Sequence, residues 1–134
     1  MKKLKHNECA VLQSSNVIWF DVDDTLIMWG PSQSKRKRIL IQDPHLPEER
    51  ISFLPHITHI NILKRNHAQG RTVIVWSAAG YEWATAVVQA LKLEKYVTLI
   101  LAKPVLYVDD RKMEDWGCMR TYLARDIEGE NECN

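Results

Sequence analysis

The 134-residue chain is poor in cysteine: Cys9, Cys118 and Cys133 form an odd, widely spaced set with no Cys-x-x-Cys pair. That argues against a disulfide-stapled scaffold and against a zinc ribbon, and it favours a reducing compartment. An excess of one charge is also lacking. Eighteen Lys and Arg stand against 17 Asp and Glu, and the net charge of +1 supplies no global pull toward nucleic acid or a membrane. No apolar run approaches membrane-spanning length, and the basic start Met1-Lys2-Lys3-Leu4-Lys5 is not followed by an apolar signal core. A soluble cytoplasmic protein with no membrane partner is therefore expected. Internal repeats and domain linkers are missing too. A chain of this size, 46% apolar, buries about two thirds of its unfolded surface around one core. The expectation is a single domain over 1–134, with its core at about 16–125 and a frayed acidic tail at 126–134.

What the chain does have is a carboxylate cluster at the end of an apolar run. Val17-Ile18-Trp19-Phe20 leads directly into Asp21-Val22-Asp23-Asp24-Thr25. Branched and aromatic residues of this kind read as a buried strand, and Asp21 and Asp23, two apart, leave its end on the same side. Carboxylates held that close repel unless they share a proton or a divalent cation, and a hard oxygen site suits magnesium. A solvated acidic turn at a strand end is the plain alternative.

Three further elements follow in order. Thr72-Val73-Ile74-Val75-Trp76 reads as a second buried strand that stops at Ser77-Ala78-Ala79-Gly80, just before a helical pattern over 81–91. A hydroxyl and backbone N–H groups at a helix start make an anion site. Val97-Thr98-Leu99-Ile100-Leu101 leads to Lys103-Pro104, and Val105-Leu106-Tyr107-Val108 runs into Asp109-Asp110. Each apolar run ends in a polar group, and in open α/β sheets ligands bind at the carboxyl ends of the strands. A helix from Pro55 to about Gln69, stopped by Gly70, and a short helix near 113–116 are also expected, with strands near 10–12 and 120–123. The segment 30–50 reads as irregular. The alternation implies an α/β fold with a single doubly wound, mainly parallel sheet.

These four elements resemble, in order, the four motifs of the haloacid dehalogenase (HAD) superfamily of phosphotransferases. Asp21 to Thr25 match its Asp-x-Asp-x-Thr motif, Ser77 its Ser/Thr, Lys103 its Lys, and Asp109-Asp110 its acidic pair. The likeness covers about 17–116. Lys103 stands only six residues before Asp109, and Lys-Pro followed closely by Tyr-Val-Asp-Asp-Arg is similar to small capless members, some of them carried by tailed phages. The dehalogenases lack the second Asp of the first motif, so Asp23 points to a phosphatase. Ser77 and Lys103 are 26 residues apart, too close for a large cap between them. The segment 28–53 is long enough for a flap and short for a folded cap.

The resemblance implies a Mg2+-dependent phosphomonoesterase that works through an aspartyl-phosphate. Asp21 would be the nucleophile and Asp23 the general acid and base; Ser77 and Lys103 would bind the non-bridging oxygens, helped by backbone N–H groups near Val22 and Ala78. Magnesium would be held by Asp21, the Asp23 carbonyl and Asp109, with Asp110 in support. Thr25 would orient the loop beside the substrate. Expected substrates are a nucleotide or a small phosphometabolite. A nucleic-acid 3′-phosphate end is the alternative, because Asp109-Asp110-Arg111 followed by Trp116-Gly117 also resembles the phosphatase half of polynucleotide kinase-phosphatases. A catalytically idle HAD-fold binding protein is the reading from a different class; crowding several carboxylates at a cost in repulsion argues against it.

Other features have two readings each. Lys35-Arg36-Lys37-Arg38 is either a solvated surface or a contact for a phosphate backbone. His56-x-x-His59 has helical ligand spacing without a Glu or Cys to complete it, so a surface or helix-face role is expected. Trp76 and Trp83 are expected in the core, and Trp29 is the candidate for stacking on a substrate base or sugar.

Overall fold

The computed structural model describes residues 17–30 and 37–115. The expected strands near 10–12 and 120–123, and the tail, lie outside them. Among the described residues the protein is a mixed α/β structure with two small sheets. In chain order the elements are β1 (Val17–Asp21), β2 (Ile27–Met28), β3 (Ile39–Gln42), β4 (Arg50–Pro55), α1 (Ile57–Ala68), β5 (Thr72–Ser77), α2 (Tyr81–Ala90) and β6 (Leu99–Ala102). Short 3-10 turns occupy Glu94–Tyr96 and Met113–Asp115.

The main sheet is parallel, in the order β1-β5-β6. Its register pairs Asp21 with Trp76 and Ser77 with Ala102, so the polar groups that end the three strands come out at one edge. Cross-strand partners share a face. Phe20, Val73 and Val75 lie on the face toward the core, where they meet Ile60 and Leu63 of α1 and Trp83, Val87 and Val88 of α2. On the other face Val17, Trp19, Leu99 and Leu101 are exposed. The expectation of a strand β1 buried on both sides is therefore corrected: among the described residues both helices contribute to one core, and the opposite face of the sheet carries no helical layer.

The second sheet is antiparallel, in the order β2-β4-β3, and is inserted between β1 and α1. Within 28–53, the described β3 and β4 thus form a folded β flap. Ile39-Leu40-Ile41 and Ile51-Ser52-Phe53 pair as a hairpin whose inner residues reach the core. Helix α1 starts at Ile57, two residues later than expected from Pro55. Pro55 ends β4 opposite Ile27, and His56 is the N-cap, its Nδ1 accepting the His59 N–H at 3.3 Å. The stop at Gly70 follows the sequence, since its φ of 80° lies where L side chains are disfavoured.

The largest departure is at 105–108. These four apolar residues form no strand; Leu106 is 77% and Val108 92% exposed. β1 correspondingly has a sheet neighbour on one side only among the described residues. No helix there is long and apolar enough to cross a membrane.

Candidate active site

The loop after β1 is tight because one carbonyl closes it three times. Val22 O accepts N–H bonds from Thr25 (3.2 Å), Leu26 (2.9 Å) and Ile27 (3.2 Å). The turn needs a left-handed residue, and Asp24, with φ 54°, fills it; Asp tolerates that region better than most side chains. Asp21, Asp23 and Thr25 are gathered as a result, and the Thr25 hydroxyl donates to Asp21 Oδ2 at 3.4 Å.

Lys103 arrives from the end of β6. Its backbone N–H donates to Ser77 O at 2.9 Å, which fixes the residue beside the end of β5. From there its ammonium reaches Asp21 Oδ1 at 3.1 Å and lies 5.7 Å above the Trp76 ring. Both side chains of the ion pair are 34% exposed. An ion pair so open to water contributes at most about 1 kcal/mol to stability.

Asp23 is held differently. Its Oδ1 accepts two indole N–H bonds, from Trp29 at 3.2 Å and Trp83 at 3.3 Å. The two rings stack, with centroids 5.9 Å apart and planes 14° from parallel, and Trp29 also meets Phe53 edge-on at 6.4 Å. One face of Trp29 is thus used within the protein. Trp83, expected as core only, also orients a carboxylate; its place two residues into α2, beyond Ser77, was the signal for that role. Trp76 is half-buried, as the support beneath Lys103.

Ser77 is fully buried, and its hydroxyl accepts the Ala79 N–H at 3.0 Å. The hydroxyl therefore shapes the β5–α2 turn from below, while Ala78 and Ala79 are exposed at the surface of the site. Asp109 and Asp110 are exposed. The Asp109 carboxyl is held below the usual carboxylate range, first by the backbone N–H of Arg111, which donates to Oδ1 at 3.0 Å, and then by a hydrogen bond with the Asp110 side chain. Among the described residues no group of three or more His, Cys, Asp or Glu side chains is placed to hold a metal ion. The structure therefore joins Asp21, Asp23, Thr25, Trp29 and Lys103 and does not bring Asp109 or Asp110 into a ligand set with them.

No family model, curated protein or solved structure matches this chain.

Two histidines support the loop from behind. His56 and His59 are buried, with rings 3.5 Å apart and 2° from parallel. Of the expected surface or helix-face roles, burial excludes the surface one, and the pair sits on the buried side of the start of α1. His59 Nδ1 lies 2.6 Å from Thr25 O, and because a carbonyl only accepts, that nitrogen carries the proton. His59 is therefore a strut for the turn that carries the carboxylates. Replacing His59 by Leu leaves the Thr25 carbonyl unpaired and is expected to lower stability by about 1–3 kcal/mol, read as a shifted urea midpoint at unchanged slope.

The basic run splits. Lys35 and Arg36 lie outside the described residues. Arg38 is structural: its guanidinium donates to Ser52 Oγ (2.5 Å), Ser52 O (3.1 Å) and Gly30 O (3.2 Å), tying the segment after β2 to β4.

Proposed function

We propose that the protein is a phosphomonoesterase of the HAD type, acting through an aspartyl-phosphate on a nucleotide or a small phosphometabolite. The observation that carries this reading is the Asp21–Lys103 pair at 3.1 Å, formed by the polar ends of two parallel strands at one sheet edge. A nucleophilic carboxylate beside an ammonium is what an in-line attack on a dianionic phosphoryl group requires, because the cation offsets repulsion between nucleophile and substrate.

Asp21 attacks phosphorus, forming an Asp Oδ–P bond as the bond from phosphorus to the leaving oxygen breaks. Asp23 delivers its proton to that leaving oxygen. Water then attacks the aspartyl-phosphate, Asp23 takes a proton from the water, and the Asp Oδ–P bond breaks to release phosphate and restore Asp21. Lys103 holds the non-bridging oxygens. Thr25 keeps Asp21 oriented, and the indole N–H groups of Trp29 and Trp83 keep Asp23 oriented. The catalytic role of Ser77 becomes indirect, through the turn that exposes Ala78.

Magnesium belongs to this reading through the chemistry of the donor set. The Asp21 carboxylate, the Asp23 carbonyl and the Asp109 carboxylate are all hard oxygen donors, as is Asp110, which follows Asp109 in the chain. When bound, the ion would screen phosphate charge. Assembly of that set requires Val105-Leu106-Tyr107-Val108 to add to the open side of β1 as a fourth parallel strand, which would carry Asp109 to the same edge as Asp21. The high exposure of the apolar Leu106 and Val108, directly before Asp109, and a β1 that has one sheet neighbour among the described residues support this step. The same reading makes the sheet doubly wound, a second layer covering the face of Val17, Trp19, Leu99 and Leu101.

Phosphate release from an aryl phosphate tests the proposal. Turnover is expected with magnesium or manganese and is expected to be lost in excess chelator, then regained on adding magnesium. Full turnover in excess chelator contradicts the metal-dependent reading.

A further inference from the structure

A cavity of about 230 Å³ lies between the loop that joins β3 to β4 and the site, lined among others by Asp23, Trp29, Trp83, Asp43, His45 and Ile51. Neither Asp21 nor Lys103 lines it. The group assigned to protonate the leaving oxygen therefore faces the cavity, and the groups assigned to the phosphoryl do not. With the phosphoryl at Asp21 and Lys103, whatever is bonded to the leaving oxygen extends past Asp23 into this space. The cavity's size and lining then describe the leaving group.

We infer that this cavity selects phosphomonoesters whose leaving group is a single compact, uncharged ring system, such as a nucleoside, a sugar or an aryl alcohol. The inference rests on the phosphomonoesterase reading. Three observations carry it. The space, about 230 Å³ and open to solvent on one side, has room for a single ring system against its walls. The walls include Ile51 and the exposed Trp29, stacked on the buried Trp83, and an exposed indole suits the flat face of a base or the C–H face of a sugar. The polar groups on the loop side are the Asp43 carboxylate and the His45 imidazole; the Asp43 Oδ1 already accepts the His45 N–H at 2.8 Å, which orients the carboxylate on its loop. An acceptor there suits hydroxyl or amino donors. A leaving group with a second phosphate or a carboxylate would meet the Asp43 carboxylate as a like charge. A polynucleotide end, which continues as phosphodiesters, would meet the same barrier, and the Arg38 guanidinium donates to Ser52 and Gly30 within the protein.

Two measurements on the full chain decide this and keep it separate from the reading it rests on. In the first, kcat/KM is compared within matched pairs: phenyl phosphate against 4-carboxyphenyl phosphate, and a nucleoside 5′-monophosphate against its 3′,5′-bisphosphate. The uncharged member of each pair is expected to be favoured by about 10-fold or more, and Asp43→Asn is expected to bring the ratio within each pair close to unity. Ratios near unity in the native chain, or ratios unmoved by Asp43→Asn, overturn the inference while leaving the phosphatase reading standing. In the second, the indole N–H resonances of the nitrogen-15-labelled protein are followed while adenosine, ribose or phenol is added, none of which carries phosphate. Saturable shifts of Trp29 and Trp83, with Trp76 unmoved, are expected for at least one of the three. Their identity is established beforehand from Trp29→Phe and Trp83→Phe. No shift with any of the three overturns the inference even if phosphate is released. Shifts without hydrolysis of any monoester would uphold the cavity as a binding site and remove the phosphatase reading.

Discussion

Replacing Asp21 by Asn is expected to lower kcat on an aryl phosphate by about 10⁴-fold or more, since it removes the attacking atom and not merely a contact. The amide keeps the shape of the carboxylate, and the ion pair it breaks with Lys103 is one-third exposed on both sides. Loss of such a pair costs at most about 1 kcal/mol, so the unfolding midpoint should hardly move. The separation of the two readouts is the point of the experiment. A variant that unfolds would lose activity for a trivial reason, whereas a stable and inactive one locates the chemistry at this atom. Near-normal kcat in a folded Asp21→Asn protein would rule out the covalent route.

Proline placed in the 105–108 segment should be nearly as damaging, by a different path. If these residues join the open side of β1, successive N–H groups point alternately toward and away from it, so either Tyr107→Pro or Val108→Pro removes a ladder bond. Neither residue is assigned to the chemistry. The loss acts by misplacing Asp109, and a shift of about 1 Å in a positioned group costs about 10²-fold in rate. At least one of the two substitutions is therefore expected to lower magnesium-dependent turnover by about that factor. Amide hydrogen exchange at 105–108 should be slow in the native chain and fast in the damaged variant. Fast exchange in the native chain, with both variants fully active, would show that the site is complete without this strand.

The parts of the fold that were legible in the sequence are those with a strong local signal. β1 and β5 are uninterrupted branched and aromatic runs, α1 has a clear glycine stop, and α2 begins directly after the Ser77-Ala78-Ala79-Gly80 turn. The flap was read as irregular because Ile39-Leu40-Ile41 is followed by turn-forming and charged residues up to Arg50, and the pairing that makes it a strand comes from Ile51 to Phe53 across a hairpin. Propensity does not register a partner that distant. The exposure of one face of β1 was hidden for a related reason: Val17 and Trp19 are as apolar as Ile18 and Phe20, so hydrophobicity alone does not say which side is covered.

In the candidate site, Asp21 and Lys103 were legible because each ends an apolar run. The contributions of Trp83 and His59 were not. Trp83 looked like core because it is core on one side, and only its indole N–H, aimed at Asp23, gives it a second task. His59 sits at a position where helical spacing with His56 left a surface and a helix-face role open, and the sequence cannot tell that the helix start is buried beneath the Thr25 carbonyl. Hydrogen bonds across tens of residues are set by packing, and packing is the level that periodicity does not reach.

The central claim is that Asp21 becomes covalently phosphorylated, and the most direct measurement is peptide mass spectrometry on the Asp23→Asn variant, quenched in acid during turnover of an aryl phosphate with magnesium. An aryl leaving group needs little protonation, so the first step should proceed, and without the Asp23 base the second should stall. The expected result is one phosphoryl group on the peptide that carries Asp21, absent when Asp21 is also replaced by Asn. Continued release of phosphate with no phosphoryl group on any aspartate would contradict the account.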